Sequence, residues 1–118
     1  ATAGELAPEI TLTEPGKKLV YATDLADTPD NRARLVRLAS KAHTLFCEAP
    51  FVRADAEQAR RTGHLTTRAC GEIATAADVV QLIPFHFSRR YSDDIGPLYR
   101  EIATVCSRLV TPAVPQSE

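Results

Sequence analysis

The run Val79-Val80-Gln81-Leu82-Ile83, closed by Pro84, constrains this chain more than any other stretch. It is short, largely β-branched or aliphatic, and bounded by a proline, which suits a buried strand better than a helix. Pro84 has no N–H to give to a ladder, so pairing is expected to stop there. His86 then falls on a loop just past the carboxyl end of a strand. That is where open α/β sheets bind ligands. A lone histidine commonly serves as a structural hydrogen-bonder. This one is followed within four residues by Ser88, Arg89 and Arg90, side chains suited to an anionic oxygen.

The rest of the chain alternates between strand and helix patterns. Ile10-Thr11-Leu12-Thr13 alternates weakly and reads as an edge strand. Glu14-Pro15-Gly16-Lys17 reads as a turn. Lys18 to Thr23 reads as a strand ending in Asp24. Thr28-Pro29 is a helix start, with Thr as N-cap and Pro in the first turn. The apolar stripe that follows is Leu35, Leu38, Ala39 and Ala42, with Arg32, Arg34, Arg37 and Lys41 on the solvated face. Thr44 to Cys47 is the next strand, ending in Glu48. Asp55 is placed to cap a short helix, with Gln58 closing the capping box. Gly63 suits a left-handed stop, and His64 follows it directly. Thr66 or Thr67 opens a helix whose apolar face is Ala69, Cys70, Ile73, Ala74 and Ala77. After the His86 loop, Gly96-Pro97 begins a last helix with the stripe Leu98, Ile102, Val105, Cys106 and Leu109.

The resulting order is β-α-β-α-α-β-α, which implies a small, mainly parallel sheet with right-handed crossovers. Strands this apolar need cover on both faces. The helices supply one, so the open face is expected to meet something outside this sequence. The length of 118 residues fits one domain, taken as 1–110, with 111–118 as a Pro-containing tail. A net charge of −1 gives no whole-chain argument for nucleic acid or membrane. No apolar run is long enough to span a bilayer. No signal peptide is visible, since Glu5 and Glu9 lie near a start without basic residues. Cys47, Cys70 and Cys106 show no C-x-x-C spacing, which fits reduced, buried thiols in a cytoplasmic protein.

Asp24, Glu48 and His86 end three successive strands, and His64 lies on the loop after the second. All four can converge on one edge of a parallel sheet. A receiver-like reading, with Asp24 phosphorylated, fails for want of an acidic pair beside the first strand and a lysine after the last.

Thr23-Asp24, Cys47-Glu48-Ala49-Pro50-Phe51, Gly63-His64-Leu65-Thr66 and His86-Phe87-Ser88-Arg89-Arg90-Tyr91 together resemble the carboxyl-terminal half of a metallo-β-lactamase-fold hydrolase of the ribonuclease Z and phosphodiesterase branch. The resemblance covers roughly residues 17–103. It implies half of an αββα sandwich and a metal-dependent hydrolase acting on phosphodiester or RNA-like substrates, with a pair of zinc ions in the intact protein. It implies Asp24 and His86 as metal ligands, His64 with Glu48 as the acid–base pair, and Ser88 and Arg90 as substrate-binding residues. The sequence departs from the branch at Cys47, where His is frequent, and at Pro50, where Thr is frequent. The family's main ligand motif, H-x-H-x-D-H, does not occur, and the histidines His43, His64 and His86 form no such cluster. The expected partner is therefore an N-terminal half carrying that motif, lost by cloning or proteolysis, as a start without Met suggests. The chain alone is expected to be inactive, with zinc partial or absent, and to form a homo-oligomer through its open face. A reading from another class is a non-catalytic α/β module that binds a protein partner through that face.

Overall fold

A computed structural model describes residues 9–14 and 17–111. Its sheet has the strand order β1 (Glu9–Glu14), β2 (Lys17–Ala22), β3 (Thr44–Glu48), β4 (Gln81–Phe85). The last three are parallel, and β1 adds antiparallel to β2 at the edge. The expected edge strand at Ile10 to Thr13 is therefore present. The expected turn around Pro15-Gly16 and the tail from Pro112 on lie outside the described residues.

Because the parallel strands follow chain order and crossovers are right-handed, their helices must fall on one face. They do. α1 (Pro29–Ala39) packs on β2, and α3 (Thr67–Ala77) packs on β3 and β4. α4 (Gly96–Val105) lies against α3, and the short α2 (Ala56–Thr62) precedes the His64 loop. Val20, Ala22, Leu45, Cys47 and Leu82 point from the sheet into this layer. They meet Leu35, Ala39, Cys70, Ile73, Ala74 and Ile102, all essentially without solvent exposure. Each large aliphatic chain buried this way contributes about 1.5–3 kcal/mol. α3 and α4 approach closely at Gly71, where a Cβ would stand 2.6 Å from Val105 Cγ2.

The opposite face of the sheet has no helix among the described residues. In register across it lie Tyr21, Phe46 and Ile83, with Phe85 beside them. Tyr21 is 37% exposed, and its ring stacks on Phe46 at 4.3 Å between centroids. This is the open apolar face expected from the sequence.

Most local signals hold. Thr28 and Thr66 cap α1 and α3, accepting hydrogen bonds from Asn31 N–H and Ala69 N–H at 3.1 Å. Gly63 ends α2 in the left-handed region with φ 75°. Cys47, Cys70 and Cys106 are free and buried.

The last helix ends at Val105, so Leu109 lies beyond its stripe and bridges Leu82 beside β4 instead. Two further readings need correction. The last strand is not Val79–Ile83 but Gln81–Phe85, and Pro84 lies inside it, paired with Cys47. Alternate residues of a strand point their N–H groups to the same side. Leu82 N–H donates outward to Arg108 C=O at 2.9 Å, away from β3. The missing N–H of Pro84 faces that outer edge too, so the β3–β4 ladder loses nothing. The second correction is Asp55, whose side chain makes no capping bond to α2. Its carboxylate is taken by Tyr91 and Arg90 instead.

Candidate active site

Glu48 is the last residue of β3, and its carboxylate has no solvent exposure. A buried carboxylate is costly unless it is fully hydrogen-bonded. Asp24 N–H donates to Oε1 at 2.6 Å, and Leu65 N–H donates to Oε2 at 2.9 Å. His64 Nδ1 lies 3.0 Å from both oxygens. Each donor comes from the carboxyl-terminal edge of the sheet: the second residue after β2 and the loop after α2. Gly63 makes the second approach possible. Its left-handed turn lets His64 N–H donate to Ala59 C=O at 2.9 Å and swings the His64 side chain back over β3.

His86 follows β4 with φ 65°, and Asp24 follows β2 with φ 59°. Asp tolerates the left-handed region. Histidine enters it more readily than most non-glycine residues, and such positions cluster at functional sites. The turn brings His86 Nδ1 to 3.7 Å from Glu48 Oε1 and sets its ring edge-on to His64, with centroids 5.3 Å apart. The His64 side chain is 20% exposed and that of His86 47%.

Glu48, His64 and His86 can present ligand atoms within 4.8 Å of one another. Glu48 is nevertheless a poor metal ligand here. A carboxylate has about four lone-pair sites, and two backbone N–H groups and an imidazole already occupy both oxygens. Both histidines turn Nδ1 toward Glu48, leaving Nε2 as the outward nitrogen. A histidine whose Nδ1 faces a carboxylate while Nε2 is open is arranged as metal-binding histidines usually are. The open nitrogens are therefore His86 Nε2 and His64 Nε2, with the Asp24 side chain exposed at the same edge of the sheet. Two histidine nitrogens fall short of the three or four ligands of a stable zinc site.

Of the residues singled out from the sequence, Glu48, His64 and His86 come together directly, and Asp24 joins them through its backbone. Ser88 and Arg90 stand one turn further on. Ser88 N–H donates to Pro50 C=O at 3.0 Å, and its hydroxyl accepts from Arg90 N–H at 3.3 Å. Arg90 Nη1 lies 3.1 Å from Asp55 Oδ1, and the guanidinium sits over the Phe51 ring at 5.5 Å. Cys47 points away from Glu48 into the helix layer. There its hydrogen bond with Cys70, with burial in support, pushes the Cys70 thiol up. A cavity of about 270 Å³ opens beside His64, lined by Ala26, Thr28, Ala59, Arg60 and Thr66 among others.

No family model matches the chain. The structure of the metallo-β-lactamase-fold protein YhfI from Bacillus subtilis superposes with a TM-score of 0.70. It covers 84% of this chain and 38% of that one at 21% identity. The short form of human tRNase Z gives 0.58 over 68% of this chain and 30% of its own, at 27% identity. The chain thus has the metallo-β-lactamase fold, of which it holds one sheet and its covering helices.

Within that class its sequence is related to ribonuclease Z. It is 36% identical over 101 residues to the enzyme of Parabacteroides distasonis, covering 83% of this chain. It is 36% identical over 100 residues to that of Brevibacillus brevis, covering 85%. The chain spans about a third of the length of these relatives, 32% and 30%.

Proposed function

We propose that this chain supplies the carboxyl-terminal part of a metal-dependent hydrolase that cleaves phosphodiester bonds in RNA. A region carrying H-x-H-x-D-H, packed on the open sheet face, completes the site. The observation that supports this best is the buried Glu48 holding His64 Nδ1 at 3.0 Å with two backbone donors behind it. A module that only bound a protein through its open face would have no use for such a cluster.

In this reading Asp24 and His86 hold metal, with zinc the ion expected. When bound, the metals supply Lewis-acid activation of water and of the phosphoryl oxygen. Glu48 accepts the Nδ1–H of His64 and so orients the ring. His64 Nε2–H then faces outward and delivers its proton to the leaving oxygen, a general-acid role. The cavity beside His64 gives room for the leaving side of the substrate. Arg90 offers its remaining N–H donors to a phosphate, and the Ser88 hydroxyl lies beside it. With two of the ligands and no second half, the chain alone is inactive. No helix among the described residues is long and apolar enough to cross a membrane. Three reduced thiols suit a cytoplasmic setting.

The test is an assay of RNA cleavage by this chain joined to such a region, with and without zinc. Zinc-dependent cleavage lost in His86→Ala is expected. Cleavage indifferent to zinc, or none, would overturn the reading.

A further inference from the structure

Tyr91 has no part in the site so far, yet with Asp55, the partner of Arg90, it connects the two sides. Tyr91 closes the turn Arg89–Tyr91 after β4, and Asp55 closes the turn Arg53–Asp55 before α2. The Tyr91 hydroxyl accepts from Val52 N–H at 3.0 Å and donates to Asp55 Oδ2. The other Asp55 oxygen pairs with Arg90 at 3.1 Å. The main chain adds Ala49 N–H to Phe85 C=O at 2.9 Å and Ser88 N–H to Pro50 C=O at 3.0 Å. Segments 49–55 and 85–91 are therefore tied along their length. Glu48 immediately precedes the first, and His86 lies within the second.

This arrangement has a cost. An Asp at the N-terminus of α2 could stabilise the helix by about 1 kcal/mol as a cap. Asp55 forgoes that bond. His86 adopts the left-handed region, uncommon for a non-glycine residue though less so for histidine, within the tied segment 85–91. Burial, together with the bond to Asp55, pushes the Tyr91 hydroxyl up.

We infer that Tyr91, acting through Asp55, is a positioning residue that holds the His86 turn against Glu48 and aims Arg90 at the phosphoryl group. This rests on the hydrolase reading above, because it assigns Arg90 a phosphate and His86 a metal. A displacement of about 1 Å in such a site costs on the order of 10²-fold in rate, so a hydroxyl that fixes two loops acts without touching substrate.

Two substitutions separate the links. Tyr91→Phe keeps the ring and removes only the hydroxyl. Asp55→Asn keeps an acceptor for Tyr91 but removes the charge that holds Arg90. In the completed enzyme Tyr91→Phe is expected to lower kcat on RNA by about tenfold or more. Asp55→Asn is expected to raise KM by a similar factor with kcat within about twofold. On the chain itself, zinc titration followed through the His86 ring resonances in NMR should show a midpoint about tenfold weaker in Tyr91→Phe and unchanged in Asp55→Asn. Wild-type kcat and zinc midpoint in Tyr91→Phe would overturn the inference. Failure of Tyr91→Phe to fold would also overturn it, since the contact would then be a staple of the fold. If the completed wild-type protein cleaves no phosphodiester, the hydrolase reading falls, and the zinc titration alone then decides the positioning role of Tyr91.

Discussion

His64 Nδ1 lies 3.0 Å from both carboxylate oxygens of Glu48, and Glu48 is sealed from solvent. The pair therefore fixes which histidine nitrogen faces outward. If His64 delivers a proton, His64→Ala in the completed enzyme should lower kcat by about 10²–10⁴-fold and leave the metal content unchanged. The loss should shrink for a nitrophenyl ester, whose leaving group needs little protonation. Steady-state rates on the two substrates, with elemental analysis, check this. Equal losses on both would reject the acid role, and lost metal would make His64 a ligand.

Glu48→Gln is isosteric but neutral. Its amide oxygen can accept from only part of the donor set, so either Asp24 N–H or Leu65 N–H faces an NH₂ group. We expect a loss of about 1–3 kcal/mol in stability, measured by denaturant unfolding at neutral pH. A variant as stable as wild type would mean that the backbone donors contribute little.

Glu72 bridges two helices. Burial raises its carboxyl, but hydrogen bonds from Arg32 and Arg68 outweigh that and hold it below its ordinary value. A folded-state value below the unfolded one contributes stability that is present above the unfolded value. It is lost as pH falls through the folded one. With a side chain 35% exposed, screening limits the effect to about 0.5–1 kcal/mol. The gap in melting temperature between wild type and Glu72→Gln should be constant near neutral pH. It should close as the pH falls below the ordinary glutamate range. A gap that persists in strong acid would point to packing instead.

The features read correctly from sequence are those whose physics is local. Thr28, Thr66 and Gly63 act within a few residues of themselves, and each does what its position implies. The misreadings are long-range. Asp55 looks like a cap because its actual partner, Tyr91, is 36 residues away. Pro84 looks like a strand breaker because the outer edge of β4 is defined by Arg108 to Val110, which carry no strand pattern of their own. In the site, the convergence of Glu48, His64 and His86 was legible from strand order. The backbone donors that make a buried Glu48 tolerable were not, since every residue but proline carries the same N–H.

The open sheet face predicts association. Tyr21, Phe46, Ile83 and Phe85 adjoin one another without cover among the described residues, and monomers seldom leave large apolar patches bare. Light scattering of the isolated chain should show a dimer or larger, and Tyr21→Lys should shift it toward monomer while retaining the fold by circular dichroism. A monomer at high concentration would count against a face built for a second half.

The central claim is that this chain is one part of a two-part metal site. It is tested most directly by expressing the protein from a start upstream of Ala1 and measuring bound zinc and RNA cleavage together. The account predicts an H-x-H-x-D-H in the added region, a pair of zinc ions per protein, and cleavage that disappears with zinc in His86→Ala. An upstream region without that motif, or an extended protein that neither holds zinc nor cleaves RNA, would contradict it.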